Sequence, residues 1–136
     1  MRQQLPRILI IDADILIRHP LAEYLRECGY RVVQAANFDE ACKLFTQRRR
    51  RLAIDVVLAD ANTPGAENAF AFAGWMRANQ PGVEIILAGS VDATAKKASD
   101  LCEEGPLSKP YDHQLVLDRI RRLLAARDRR RGQPSP

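Results

Sequence analysis

The sequence has few of the features that mark membrane, disulfide-rich or zinc-binding proteins. No apolar stretch approaches the roughly 20 residues that a membrane-spanning helix needs. The three cysteines, Cys28, Cys42 and Cys102, are odd in number and show no C-x-x-C spacing, which argues against both a disulfide framework and a zinc site. The first residues lack the layout of a secretory signal peptide. These absences predict reduced thiols in a cytoplasmic protein.

What the sequence does contain is the composition of one globular domain with a basic end. Its 136 residues suffice to bury a core, and 46% of them are hydrophobic and 28% charged. The net charge is +4, and residues 127–136 contribute +3 of it through four arginines and one aspartate. We therefore expect a single domain over residues 1–127 and a basic, disordered tail over residues 128–136.

Segments with the pattern of strands and segments with the pattern of helices alternate along the chain. Apolar runs bounded by turn residues predict buried strands at residues 7–12, 30–35, 54–60 and 83–88, with a short fifth extended segment at 106–110. Helices are predicted at residues 15–28, 38–50, 67–79 and 92–101, and a long last helix follows Asp112. Asn37 and Glu40 have the spacing of a capping box. This alternation predicts an α/β fold, a doubly wound five-stranded parallel sheet with helices on both faces.

Three polar residues stand at or beside the ends of predicted strands: Asp12, Asp60 and Lys109. Because parallel strands point the same way, their carboxyl ends meet at one edge of the sheet, where we expect these side chains to converge. Two neighbouring carboxylates repel each other unless a cation such as Mg²⁺ joins them, and a lysine can neutralise a phosphoryl group. An aspartate with a metal and a lysine is suited to forming an acyl phosphate.

With these residues, the sequence resembles a two-component response-regulator receiver domain over residues 6–127. The resemblance is carried by residues 7–12, by residues 55–60 with Asn62 and the Pro-Gly pair at 64–65, and by residues 109–111. It implies the flavodoxin-like strand order 2-1-3-4-5. It also implies that Asp60 is the phosphoacceptor, that Lys109 binds the phosphoryl group, and that Asp12, Asp60 and the backbone carbonyl of Asn62 hold Mg²⁺.

The resemblance further implies the setting in which such a protein works. It points to a bacterial, cytoplasmic signalling protein that is not an enzyme, with a sensor histidine kinase or phosphotransfer protein as phosphodonor. The predicted output is contact with a downstream protein, with a homodimer as one form of assembly, and neither a membrane nor nucleic acid is an expected partner. No output domain follows the last predicted helix, so the sequence predicts a receiver that stands alone.

Three residues depart from the family's pattern. Ala13 stands where the family usually carries a second acid, so Mg²⁺ binding should be weakened. Ala88 stands where the family carries Thr or Ser, and Pro106 stands at the position of its switch aromatic. Neither Asp14 nor Ser90 is expected to replace the missing groups. The sequence therefore predicts a phosphoacceptor whose metal support is thinned and whose usual conformational relay is absent.

Three other functions remain open from the sequence. The first is a degenerate receiver that serves as a docking module independently of phosphorylation. The second is a phosphatase of the haloacid-dehalogenase type, in which Asp12 of the D-x-D sequence Asp12-Ala13-Asp14 is the nucleophile; Leu16 fits that motif poorly. The third is nucleic-acid contact through the arginines of the tail, which salt-sensitive binding would reveal.

Overall fold

Five short parallel strands form the centre of the molecule. The computed structural model describes residues 5–47, 53–63, 68–89, 107–130 and 132. The strands are β1 (Arg7–Ile11), β2 (Arg31–Ala35), β3 (Val56–Asp60), β4 (Glu84–Gly89) and β5 (Leu107–Ser108). They lie in the order β2-β1-β3-β4-β5, and each neighbouring pair is parallel. The predicted fold class and strand order are both confirmed.

The helices of the described residues begin at polar caps that the sequence supplies. They are α1 (Ile15–Glu27), α2 (Phe38–Thr46), α3 (Ala69–Asn79) and α4 (His113–Arg130). The side chains of Asp14, Asn37 and Asn68 accept hydrogen bonds from backbone N–H groups in the first turns of α1, α2 and α3. At α2 the predicted N-cap is confirmed, because the N–H of Glu40 donates to Asn37 Oδ1 at 2.8 Å. The carboxylate of Glu40 accepts the N–H of Ala36, one residue before the cap, also at 2.8 Å, whereas in a capping box it would accept the N–H of the cap residue.

The sheet is covered on both faces, which accounts for its almost continuous apolar strands. Alternate residues of a strand point to opposite faces, so Ile8 and Ile10 of β1 enter one core while Leu9 and Ile11 enter the other. Helices α1 and α4 close the first core, mainly through Leu21, Leu25, Val116 and Ile120. Helices α2 and α3 close the second, mainly through Phe38, Phe72 and Met76.

Several predicted boundaries differ from those in the structure. Helix α2 ends at Thr46 and not near residue 50, because Gln47 already has an extended backbone with ψ of 120°. Helix α3 begins at Ala69, two residues later than predicted, where Asn68 provides the cap. The helix predicted at residues 92–101 lies outside the described residues, as do Pro106, Ser90 and Cys102.

The last helix continues further than the sequence suggested. Residues 128–130 were expected to belong to a disordered tail, yet α4 runs to Arg130. Its last turns are held against the amino edge of the sheet, since Arg127 Nη2 lies 3.0 Å from Asp55 Oδ1 and Arg130 pairs with Glu84. Within the part of the chain that the structure describes, no helix is both long and apolar enough to cross a membrane.

Truncation of a core leucine tests this account of the fold. Leu58 is 1% exposed at the centre of the sheet, and Leu58→Ala should lower the free energy of unfolding by about 2–5 kcal/mol through lost burial and a residual cavity. The same truncation at Leu16, which is 81% exposed, should change it by about 0.5 kcal/mol or less. Urea unfolding measures both values, and equal losses would contradict the assignment of Leu58 to the core.

Candidate functional site

The carboxyl edge of the sheet brings the three predicted site residues together. Asp12 directly follows β1, Asp60 is the last residue of β3, and Lys109 directly follows β5. Although two strands separate β5 from β1, Lys109 Nζ donates a hydrogen bond of 2.8 Å to Asp12 Oδ2. The same ammonium group lies 3.5 Å from Asp60 Oδ2. One lysine therefore neutralises part of the charge of two carboxylates.

Asp12 is the buried member of this group, at 2% exposure. Its backbone N–H donates to the carbonyl of Ala35 at 3.1 Å, and its carbonyl accepts from Arg18 Nη1 at 2.6 Å. Its side-chain oxygen Oδ1 accepts the N–H of Asp14 at 2.9 Å, and Oδ2 accepts from Lys109. Each polar atom of Asp12 thus has a partner, and the carboxylate is fixed in orientation.

Asp60 is held less tightly and is more accessible. Its side chain is 14% exposed, and Oδ1 accepts a long hydrogen bond of 3.3 Å from the N–H of Asn62. The chain turns immediately after it, with the N–H of Thr63 bonded to the Asp60 carbonyl at 3.0 Å. Asp60 thus lies between the ammonium group of Lys109 and a turn, with more of its side chain exposed than that of Asp12.

Tyr111 adds an aromatic wall close to the two carboxylates. It packs against the core shared by α1 and α4, and with Lys109 and Leu16 it lines a cavity of about 180 Å³. Burial raises the pKa of the Tyr111 phenol, and the charges of Asp12 and Asp60 raise it further. The influence of the two carboxylates on Tyr111 depends on the folding of the chain, because Asp12 and Asp60 are distant from it in sequence.

Two of the positions at which the sequence departs from the resemblance are among the described residues: Ala13 directly follows Asp12, and Ala88 lies beside Asp60 in the sheet. Ala13 is exposed and offers no side-chain oxygen. Ala88 is 1% exposed and is the direct neighbour of Asp60 in the β3–β4 register, so a methyl group lies where the family has a hydroxyl. Asp14 uses its side chain to cap α1. Ser90 and Pro106 fall outside the described residues.

The oxygen atoms at this edge suit a hard cation in kind but are few in number. The described residues contain no cluster of three or more His, Cys, Asp or Glu side chains able to hold a metal ion. Asp12, Asp60 and the carbonyl of Asn62 remain as oxygen donors of the type that Mg²⁺ binds. Because Lys109 already engages both carboxylates, the residues present fit a weak magnesium site.

Arg18 is a further residue at this edge that sequence reasoning missed. It lies on α1 and its guanidinium group reaches the carbonyl of Asp12. A basic residue on an amphipathic helix carries no signal of such a contact, because its partner on the chain is a backbone atom.

Comparison with known proteins gives a consistent match. A family model described as a response regulator receiver domain matches residues 8–121. The signal receiver domain of an HD domain-containing protein from Pseudomonas fluorescens is 24% identical, with a TM-score of 0.82 over 98% of this chain and 97% of that chain. The beryllofluoride-activated receiver domain of NtrC4, solved as a dimer, is 27% identical, with a TM-score of 0.75 over 89% of this chain and 98% of that chain.

A curated protein also matches, but over only part of its own length. A cyclic di-GMP phosphodiesterase from Thermotoga maritima is 25% identical over 122 residues, which are 88% of this chain and 31% of that protein. The chain therefore spans about a third of the length of this relative.

The raised pKa of Tyr111 predicts a dependence of stability on alkaline pH. Because the fold favours the protonated phenol, its contribution to stability is complete below the unfolded value of about 10 and is lost as the pH rises towards the higher folded value. Tyr111→Phe should therefore lose less stability than the wild type between neutral pH and the alkaline range. Urea midpoints measured across this range test the difference, and parallel curves for the two proteins would contradict it.

Proposed function

This chain belongs to the response regulator receiver family, and on that premise we propose that it receives a phosphoryl group on Asp60 in two-component signalling. The observation that carries the proposal is the placement of Asp60 at the carboxyl end of β3, accessible and 3.5 Å from the ammonium group of Lys109. The proposed donor is the phosphohistidine of a sensor histidine kinase or of a phosphotransfer protein. The proposed setting is the cytoplasm.

The proposed reaction follows from the charges at the site. A carboxylate oxygen of Asp60 bonds to phosphorus as the bond from phosphorus to the donor's histidine nitrogen breaks, and the imidazole leaves with the bonding electrons and takes up a proton. Lys109 offsets the charge of the phosphoryl oxygens as a point charge. Asp12 fixes Lys109 through their 2.8 Å hydrogen bond, so the ammonium group is in place before the phosphoryl group arrives.

Mg²⁺ is the proposed cofactor, held by Asp12, Asp60 and the carbonyl of Asn62. When bound, it supplies further positive charge to the phosphoryl oxygens. Because position 13 is alanine, the site has one carboxylate fewer than the family usually provides. Lys109 competes with the metal ion for the two carboxylates that remain, those of Asp12 and Asp60. We therefore expect weak metal binding.

The proposed output is contact with a downstream protein, and homodimerisation is one form of it. The likeness to a receiver that was solved as a dimer supports that form. A second candidate function is docking that does not depend on phosphate, and the observation that favours it is Ala88. Ala88 lies beside Asp60 in the sheet but has no hydroxyl group, so its side chain cannot form a hydrogen bond to a phosphoryl group on Asp60.

A phosphatase that uses Asp12 as nucleophile is disfavoured by the same geometry. A nucleophile must reach its substrate, but Asp12 is 2% exposed and its four polar atoms all have partners within the protein. Asp60 is the accessible carboxylate of the pair. We therefore propose that the chain is a signalling module and not an enzyme.

Modification by a small phosphodonor tests the proposed acceptor. With acetyl phosphate and Mg²⁺, the wild type should gain the mass of one phosphoryl group, whereas Asp60→Asn should gain none. Asp14→Asn is the matched control, because it removes a neighbouring charge while asparagine still caps α1, and it should be modified like the wild type. Equal modification of Asp60→Asn and wild type would refute Asp60 as the acceptor, and an unmodified wild type would favour phosphate-independent docking.

Restoring the missing acid tests the account of the metal. Ala13→Asp should tighten Mg²⁺ binding roughly tenfold, or about 1.4 kcal/mol, because one more carboxylate joins a site that has two. The control is Ala53→Asp, which adds the same charge at an exposed position on the opposite edge of the sheet and should change little. Magnesium titrations followed by amide shifts of Asn62 measure both. An unchanged affinity in Ala13→Asp would show that Ala13 does not limit the site.

A further inference from the structure

Arg18 connects three elements around the buried carboxylate. It lies on α1, and its side chain is partly buried. Its Nη1 donates a hydrogen bond of 2.6 Å to the backbone carbonyl of Asp12, and its Nε donates one of 3.0 Å to the side-chain oxygen of Gln34 on β2. The guanidinium group thereby ties α1 to the ends of β1 and β2.

The hydrogen bond from Arg18 gives a partner to the backbone carbonyl of Asp12, which lies beyond the end of β1. Asp12 lies one residue beyond the last paired residue of β1. A guanidinium group is a charged donor, and a hydrogen bond from a charged donor is stronger than one between neutral groups. Since the carbonyl and the carboxylate belong to the same residue, fixing the peptide also restricts where the carboxylate points.

We propose that Arg18 is a positioning residue of the acceptor site, which holds Asp12 so that its carboxylate keeps Lys109 beside Asp60. The inference deepens the proposed phosphoacceptor function and rests on it for its biological meaning. With Ala13 in place of an acid, Asp12 is the carboxylate that supports Asp60, so the site depends on how firmly Asp12 is oriented. Arg18 acts through Asp12 and need not touch the phosphoryl group.

The same helix supplies a matched control. Arg26 also lies on α1 and donates a hydrogen bond of 3.2 Å to a backbone carbonyl of β2, that of Val32, away from the site. Arg18→Met and Arg26→Met each remove one charge and one contact of this type while keeping most of the apolar stem of the side chain. Arg18→Lys keeps the charge of Arg18 but not its planar, two-armed geometry.

Two measurements on the full chain separate positioning from general stability. The first is the amide proton shift of Asp14, whose N–H donates to Asp12 Oδ1 and so reports the orientation of that carboxylate without any phosphoryl chemistry. The second is the beryllofluoride concentration that half-saturates the site in Mg²⁺. In Arg18→Met the Asp14 proton should move upfield and the half-saturating concentration should rise about tenfold. Arg26→Met should change neither, and Arg18→Lys should restore part of both.

The outcomes distinguish the two proposals. If the wild type takes up no beryllofluoride, the proposed phosphoacceptor function fails, while the Asp14 shift still decides whether Arg18 orients Asp12. If Arg18→Met and Arg26→Met give the same shift and the same affinity, the role of Arg18 is refuted. If Arg18→Met does not fold, Gln34→Ala replaces it, because it removes the second anchor of the guanidinium group. It should move the Asp14 proton in the same direction by less, and an unchanged proton would refute the inference.

Discussion

The site depends on one ammonium group that two carboxylates share. Lys109, which follows the outer strand β5, contacts both Asp12 and Asp60. Without it, two negative charges would face each other at the carboxyl edge. This interaction is possible because all five strands run parallel, so that residues from β1, β3 and the segment after β5 end at the same edge. The buried strands determine where the backbone delivers the charges, and the lysine allows them to remain close together.

The two carboxylates differ in their surroundings, and this difference separates their proposed functions. Asp12 is buried and fully hydrogen-bonded, which suits a group that holds others in place. Asp60 is more exposed and, among the described residues, accepts one long hydrogen bond from a backbone N–H, which suits a group that reacts. Ala13, which follows Asp12, and Ala88, which pairs with Asp60 in the sheet, offer no side-chain oxygen atoms. Asp60 and Lys109, on which the proposed phosphorylation depends, are in contact, whereas Ala88 has no hydroxyl group that could respond to a phosphoryl group.

The opposite edge of the sheet has its own ionic contacts, which explain the length of α4. Arg127 bonds both the side chain and the backbone carbonyl of Asp55, and Arg130 pairs with Glu84. From the sequence alone, Arg127 is the last residue of the predicted domain and Arg130 belongs to the predicted basic tail. In the structure they neutralise acids at the amino ends of β3 and β4, so part of the chain's positive charge is used within the fold.

The sequence by itself determined the elements of the fold and the identity of the candidate acceptor. Apolar runs, asparagine and aspartate caps and a strand ending in Asp60 depend on neighbouring residues, so local patterns suffice to predict them. The sequence also predicted that Asp12, Asp60 and Lys109 converge at one edge of the sheet, but only the tertiary structure decided which of their atoms meet. Lys109 and Asp12 are 97 residues apart in the chain, and Arg127 and the Asp55 carbonyl are 72 apart. The contact of Arg18 with a backbone carbonyl and the influence of both carboxylates on Tyr111 depend in the same way on the packing of helices against the sheet. Such contacts are set by distances in space, and no local pattern of residue types encodes them.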